Sequence, residues 1–324
     1  MKLAKPLATI AALAAAGALL VPPPAAAQQK LKVAYVRVTP MLVHQYAEKM
    51  GYLKREGLET EIFTLNTGPA VTSAVVSGSA DIGFTATVPM VAARAQKQPI
   101  KAFIALNYEQ YPDPRWVWLV ASERSGAKSL SALKGKTVVI NGAGTACDLL
   151  VRDHLAKAGM TLDSVKIIAI AFPQMQAALE LGNADAACTV YPFLTNMQRS
   201  EKIRATAIAG GMVANLEQLG RVILDGYFAR EDWLPKNEKA AAGFMRAILA
   251  ANIDLKKDNA KFVELLIEEF KMPKALAEAI PGAFNVTSLV TEAKEYQPLI
   301  DALARTQMLG NPITAAELIY PIKP

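Results

Sequence analysis

The chain has 324 residues, 52% hydrophobic and 20% charged, with 35 Lys and Arg against 29 Asp and Glu for a net charge of +6. That length and apolar content build one large domain or two medium ones and exclude disorder, while 19 Gly and 19 Pro exclude collagen-like and low-complexity classes. Lys and Arg form no cluster, so no nucleic-acid partner is expected, and the weak positive excess permits an acidic small ligand.

Lys2 and Lys5 precede an apolar run from Leu7 to Val21, followed by Pro22-Pro23-Pro24 and Ala25-Ala26-Ala27. A basic start, an apolar middle and an A-x-A site make residues 1–27 a signal peptide, removed after Ala27 on export to the periplasm. After Gln28 no run of eighteen apolar residues offers a membrane helix. The two cysteines, Cys147 and Cys188, make no disulfide framework. They are expected as free, largely buried thiols, with a single bridge as the alternative that export allows.

Residues 31–38 alternate as a strand, and Thr39-Pro40-Met41 breaks it. A helix follows over 42–55 with Gly57 as its C-cap, then a strand over 59–65, the loop Asn66-Thr67-Gly68-Pro69, and a helix over 70–77. Gly78-Ser79-Ala80-Asp81 enters the strand 82–84, which leaves through Thr85-Ala86-Thr87-Val88-Pro89. From Lys136 the same series returns: a strand, the loop 141–145, a helix over 146–158 ending at Gly159, and a strand over 165–170. A helix over 174–181, then Gly182-Asn183-Ala184-Asp185, the strand 186–190 and Tyr191-Pro192 complete it. The repeat is the size of a lobe. Strands alternating with helices give an α/β fold of two lobes, each a mostly parallel sheet flanked by helices, with ligand sites outside the carboxyl ends of the strands. Lobe 1 is assigned 28–118 and 223–324, lobe 2 is assigned 119–222, and hinge crossings fall near 116–120 and 221–226. The last third reads as helical and is assigned to covering the first lobe.

Gly51-Tyr52-Leu53 with Glu56-Gly57-Leu58, Gly78-x-Ala80-Asp81, Leu133-Lys134-Gly135-Lys136 and Gly182-x-Ala184-Asp185-Ala186 resemble the signatures of periplasmic solute-binding proteins of ABC importers. The subgroup is the one that handles nitrate, taurine, alkanesulfonates and thiamine-pyrimidine precursors, and the resemblance runs over roughly residues 31–235. Leu53 departs from the usual Phe, and Cys147 from the usual small polar residue. The resemblance implies a two-lobed type II binding-protein fold, no catalysis, and delivery of a solute to a membrane permease. The enzyme branch of the family, pyrimidine synthesis in the thiamine pathway, is typified by a cysteine-rich motif absent here.

The site is expected where strand exits face each other. Asn141, Gly144, Thr145, Ala146 and Cys147 form a Gly-rich turn into a helix, whose N–H groups and positive dipole end suit an anionic head group. A tight structural turn is the competing reading. Opposite lie Thr39, Pro40 and Met41 and the exit Thr85, Ala86 and Thr87, with hydroxyls and amides to orient a polar head. Asn66, Asn107, Gln174 and Tyr191 occupy similar exits, and Arg37 is the candidate counter-ion for a carboxylate. Phe103, Tyr108, Tyr111, Trp116 and Trp118 crowd one stretch and offer either a stacking wall or core packing.

His44 and His154 have no neighbours at metal-ligand spacing, so no metal site is expected, and no cofactor motif survives scrutiny. The function expected is capture of a small organic anion, a sulfonate or carboxylate, by a monomer that closes two lobes and hands its cargo to an ABC permease. The alternatives are a neutral heteroaromatic such as a thiamine-related pyrimidine, an enzyme using Cys147 as nucleophile, and a sensor subunit.

Overall fold

The computed structural model describes residues 28–282 and 292–323, so the signal peptide expected over 1–27 lies outside the described residues. The first sheet contains β1 (Gln29–Val36), β2 (Leu58–Leu65), β3 (Ile82–Ala86), β4 (Ile100–Gln110) and β10 (Arg221–Arg230), in the order β2-β1-β3-β10-β4. The second contains β5 (Val117–Ala121), β6 (Thr137–Ile140), β7 (Lys166–Ala169), β8 (Ala186–Val190) and β9 (Thr206–Gly210), in the order β7-β6-β8-β5-β9. Each sheet is mostly parallel with one opposed strand: β1 pairs in parallel with β2 and β3, whereas β10 runs antiparallel to β3 and β4. In the second sheet β6 is parallel to β7 and β8, and β5 is antiparallel to β8 and β9. The strand that enters each lobe from the other is the one that runs against the rest.

Helices α1 (Met41–Lys49), α2 (Tyr52–Arg55), α3 (Gly68–Val76) and α4 (Thr87–Ala95) belong to the first lobe. Helices α5 (Ala146–Lys157), α6 (Phe172–Leu181) and α7 (Phe193–Arg199) belong to the second, and α8 (Leu216–Leu219) lies on the return crossing. The helix expected over 42–55 is two helices, because Gly51 takes a left-handed φ of 69° between them. Thr67 caps α3 by accepting the Ala70 N–H, and Pro69 sits in the first turn where its missing N–H leaves no orphan.

The remaining helices are α9 (Glu238–Lys257), α10 (Asn259–Phe270), α11 (Lys274–Ala277), α12 (Ala293–Arg305) and α13 (Ala315–Leu318). On α12 the buried Tyr296, Leu299, Ile300 and Leu303 form one helical stripe. Among the described residues no helix is long and apolar enough to cross a membrane.

The sheets divide the chain slightly differently from the boundaries expected. Val117 and Trp118 pair in the second sheet, and Arg221 and Val222 pair in the first. Between them Glu109, fully buried at the end of β4, accepts the N–H groups of Trp116 at 3.0 Å and Val117 at 2.9 Å, and that of Met212. One carboxylate thus joins the first lobe to both crossings. The cysteines are bridged: Cys147 at the start of α5 is joined to Cys188 of β8, with Cα atoms 5.5 Å apart. This corrects the expectation of free thiols and removes Cys147 as a nucleophile. The sequence hid it because the two meet only when β8 runs beneath the opening turn of α5.

Candidate functional site

A cavity opens between the lobes at the carboxyl ends of β1, β3, β6 and β8, walled on the first side by Thr39, Pro40, Thr85, Ala86 and Asn107. The second side is Asn141, Thr145, Ala146, Cys147 and Tyr191. These ten were all expected from the sequence. The structure adds Val36, Val38, Gly68, Phe84, Pro89, Leu224 and Asp225 from the first lobe, and Trp116, Val117, Phe172 and Val190 from the second. It leaves about 80 Å³ for water-sized groups.

Six expected residues lie outside this lining. Arg37 turns away to Glu269, its Nε donating to Oε1 at 2.8 Å and its Nη2 to the Glu269 carbonyl at 2.6 Å, while its guanidinium covers Phe270. A carboxylate and a ring on α10 therefore already hold the expected counter-ion. Asn66 and Gln174 are exposed, Met41 packs in the core, and Thr87 is fully buried outside the lining. Gly144 gives its N–H to the Asp148 carboxylate at 2.9 Å and borders an outer groove beside Pro69.

Asp148 changes the chemistry of the Gly-rich turn. It is buried, lies in the first turn of α5 and accepts the Arg152 Nε at 2.7 Å. The negative charge that a helix N-terminus favours is thus supplied from within the chain. Thr145 is likewise engaged, donating to the Gly142 carbonyl at 2.7 Å and accepting the Asp148 N–H at 3.3 Å.

The aromatic walls differ from those expected. Of the crowded stretch only Trp116 lines the cavity, packed edge-on against Tyr191 with ring centroids 5.8 Å apart. Phe103 is core, and Tyr111 is exposed. Phe84 and Phe172 complete the aromatic surface, one from each lobe.

Among the described residues no Lys, Arg or His lines the cavity, and its titratable groups are Asp225 and Tyr191. Burial pushes the Asp225 carboxyl up from 3.8 to about 8, against the pull of its Asn107 hydrogen bonds and with a smaller push from Glu109. Burial likewise raises the Tyr191 phenol. Sequence reasoning passed over Asp225 because it lay in a segment read as hinge. His44 is fully buried within the first lobe, its Nδ1 2.8 Å from the Tyr35 hydroxyl and its Nε2 2.8 Å from the Thr60 hydroxyl. Burial lowers its pKa from 6.5 to about 3, which keeps the ring neutral. No group of three or more His, Cys, Asp or Glu among the described residues can hold a metal ion.

Residues 38–260 match the family described as NMT1/THI5 like. The chain belongs to that family. It is similar to a putative binding protein of Brucella abortus (strain 2308), 26% identical over 250 residues that make up 76% of this chain and 72% of the other. It is also similar to the 4-amino-5-hydroxymethyl-2-methylpyrimidine phosphate synthase of Uromyces fabae, 29% identical over 216 residues, 63% of this chain and 60% of that one. In three dimensions it matches the alkanesulfonate-binding protein SsuA of Xanthomonas axonopodis pv. citri bound to MOPS, with a TM-score of 0.75 and 19% identity, covering 91% of this chain and 99% of that one. The periplasmic nitrate-binding protein NrtA of Synechocystis PCC 6803 matches with a TM-score of 0.64 and 16% identity over 83% of this chain and 74% of the other. The fold is that of the periplasmic binding proteins.

Proposed function

We propose that the protein is the exported solute-binding component of an ABC importer, closing its lobes on a compact uncharged nitrogen heteroaromatic and catalysing no reaction. The observation that carries the cargo class is the lining itself: aromatic and aliphatic walls from both lobes, a few uncharged polar groups, no cation, and a buried acid. An anion would meet no cation in that lining, whereas a neutral ring buries its faces between Trp116, Phe84, Phe172 and Tyr191. Relatives named as binding proteins support the transport role, and relatives named for a pyrimidine product support a nitrogen ring. Cargo release to a membrane permease follows from opening at the two crossings.

A second reading, a small organic anion, is favoured by one observation. Helices α1, α3, α4, α5 and α6 all begin at the cavity and direct their positive ends there. Mass spectrometry of the protein purified natively from a bacterial periplasm and then denatured separates the two. A released neutral nitrogen-containing ring is the expected result, and a released sulfonate or carboxylate contradicts the neutral-ring reading.

A further inference from the structure

Helix α12 is seated on the first lobe but ends on the second. Near its start Glu295 accepts the Tyr108 hydroxyl of β4 and the Arg221 Nη2 of β10. Its buried stripe of Tyr296, Leu299, Ile300 and Leu303 follows, and the helix packs against β10 and α4. At its last residue Arg305 crosses to α5, where its Nε donates to the Asp153 Oδ1 at 2.8 Å and its Nη2 to Oδ2 at 2.7 Å. The same Nη2 lies 3.1 Å from the Asn215 Oδ1 on the return crossing. Asp153 is only 4% exposed and also accepts the Ala214 N–H at 2.7 Å. The helix held in this way is the one whose opening residues, Ala146 and Cys147, wall the cavity. The lobes are shut across that cavity, since a Cβ added to Gly142 would come within 3.2 Å of the Thr67 Cγ2 of the facing loop.

We propose that Arg305 and Asp153 form a latch that holds the two lobes shut from outside the cavity. Parting the lobes carries α5 and its wall away from the first sheet. Helix α12 cannot follow, because Glu295 and the buried stripe hold it to β4, β10 and α4. The Arg305–Asp153 pair therefore has to break, and a buried carboxylate loses two charge-assisted donors and keeps the Ala214 N–H. A groove of about 450 Å³ beside the pair, lined by Lys157, Ala214 and Gln218 among others, gives the freed guanidinium room to swing aside. Arg305 does not line the cavity, so it is a positioning residue that acts through α5. The latch goes beyond the choice of cargo and works on whichever solute the cavity takes.

The bridge between Cys147 and Cys188 reports on opening, because both residues are buried and Cys147 lies on the cavity wall. Dithiothreitol attacks it through the parted lobes, giving two protein thiols and its own cyclic disulfide. With rapid opening and closing, the reduction rate follows the open fraction. Arg305→Gln is expected to reduce at least about tenfold faster than the wild type. That rate is expected to stay flat between zero and about 1 M urea, because lobe parting exposes far less surface than unfolding does. Arg305→Lys keeps the charge without the two-pronged grip and is expected to fall between the two; it carries the same test should Arg305→Gln fail to fold. A rate equal to the wild type in both variants overturns the latch. So does a faster rate that climbs with urea in step with global unfolding.

Discussion

Asp81 accepts the Lys32 N–H at 2.9 Å and Asp185 accepts the Thr137 N–H at 2.8 Å, while each Asp returns its own N–H to the same partner's carbonyl. The repeated G-x-A-D motif is therefore a clamp between the strand it precedes and that strand's parallel neighbour, β1 in the first lobe and β6 in the second. That was legible as a pattern, though its hydrogen bonds were not. His44 makes a pH-dependent contribution whose sign follows from its depressed folded pKa of about 3 against an unfolded value of 6.5. Its contribution is complete above pH 6.5 and is lost as the pH falls toward about 3. Asp225 acts oppositely: with its pKa raised to about 8, its contribution is present below 3.8 and is lost as the pH rises through about 8. Urea midpoints measured between pH 4 and 8 are expected to fall less steeply with acid in His44→Gln than in the wild type. Asp225→Asn is expected to gain on the wild type as the pH rises. Parallel profiles for wild type and either variant would contradict the burial argument. Asp225 itself was not legible as a site residue, because a lone Asp in a crossing strand carries no local sign that its side chain faces a cavity.

At the scale of elements, β10 is where lobe, hinge and site meet. It is buried along nearly all of its length between β3 and β4. Gly226 leaves no room for a side chain, since an added Cβ would run into the Ile104 carbonyl oxygen of the neighbouring strand. Gly226→Ala therefore has to push β10 off β4 and is expected to lower stability by about 3 kcal/mol, read as a drop in the urea midpoint. An unchanged midpoint would contradict the close approach. Gly68 is similar on a smaller scale, as its Cβ would meet the side chains of Thr85 and Pro89 at the cavity wall. Most elements were readable in order, because the strand and helix periods and the Gly stops are local signals. The antiparallel direction of β5 and β10 was not, since a strand's partner is not written in its own residues. Nor was the break at Gly51, where a helical pattern continues across a left-handed residue.

The whole molecule is held at more than its hinge. Helix α12, in the last third expected to cover the first lobe, also reaches the second. Arg305 clasps the buried Asp153 of α5 with bonds of 2.8 Å and 2.7 Å and extends to Asn215 at 3.1 Å. A two-pronged pair on a buried carboxylate, which also accepts the Ala214 N–H at 2.7 Å, holds more firmly than a surface ion pair does. Phe270 of α10 also meets Phe193 of α7 edge-on, with centroids 6.1 Å apart. The cavity between the lobes combines strand exits from both, and this shared origin made its polar residues other than Asp225 legible in the sequence. Its apolar lining was not, because Phe84, Phe172 and Leu224 look like any core residues in sequence.

Thermal unfolding in the presence of small solutes tests the character of that cavity most directly. A ligand at about 100 times its dissociation constant stabilises the folded state by roughly 2.7 kcal/mol, a rise of several degrees in Tm. Pyrimidine and 4-aminopyrimidine are expected to raise Tm, with taurine, nitrate and benzenesulfonate at equal concentration leaving it unchanged. A rise with the anions and none with the rings would contradict a cavity built for an uncharged heteroaromatic.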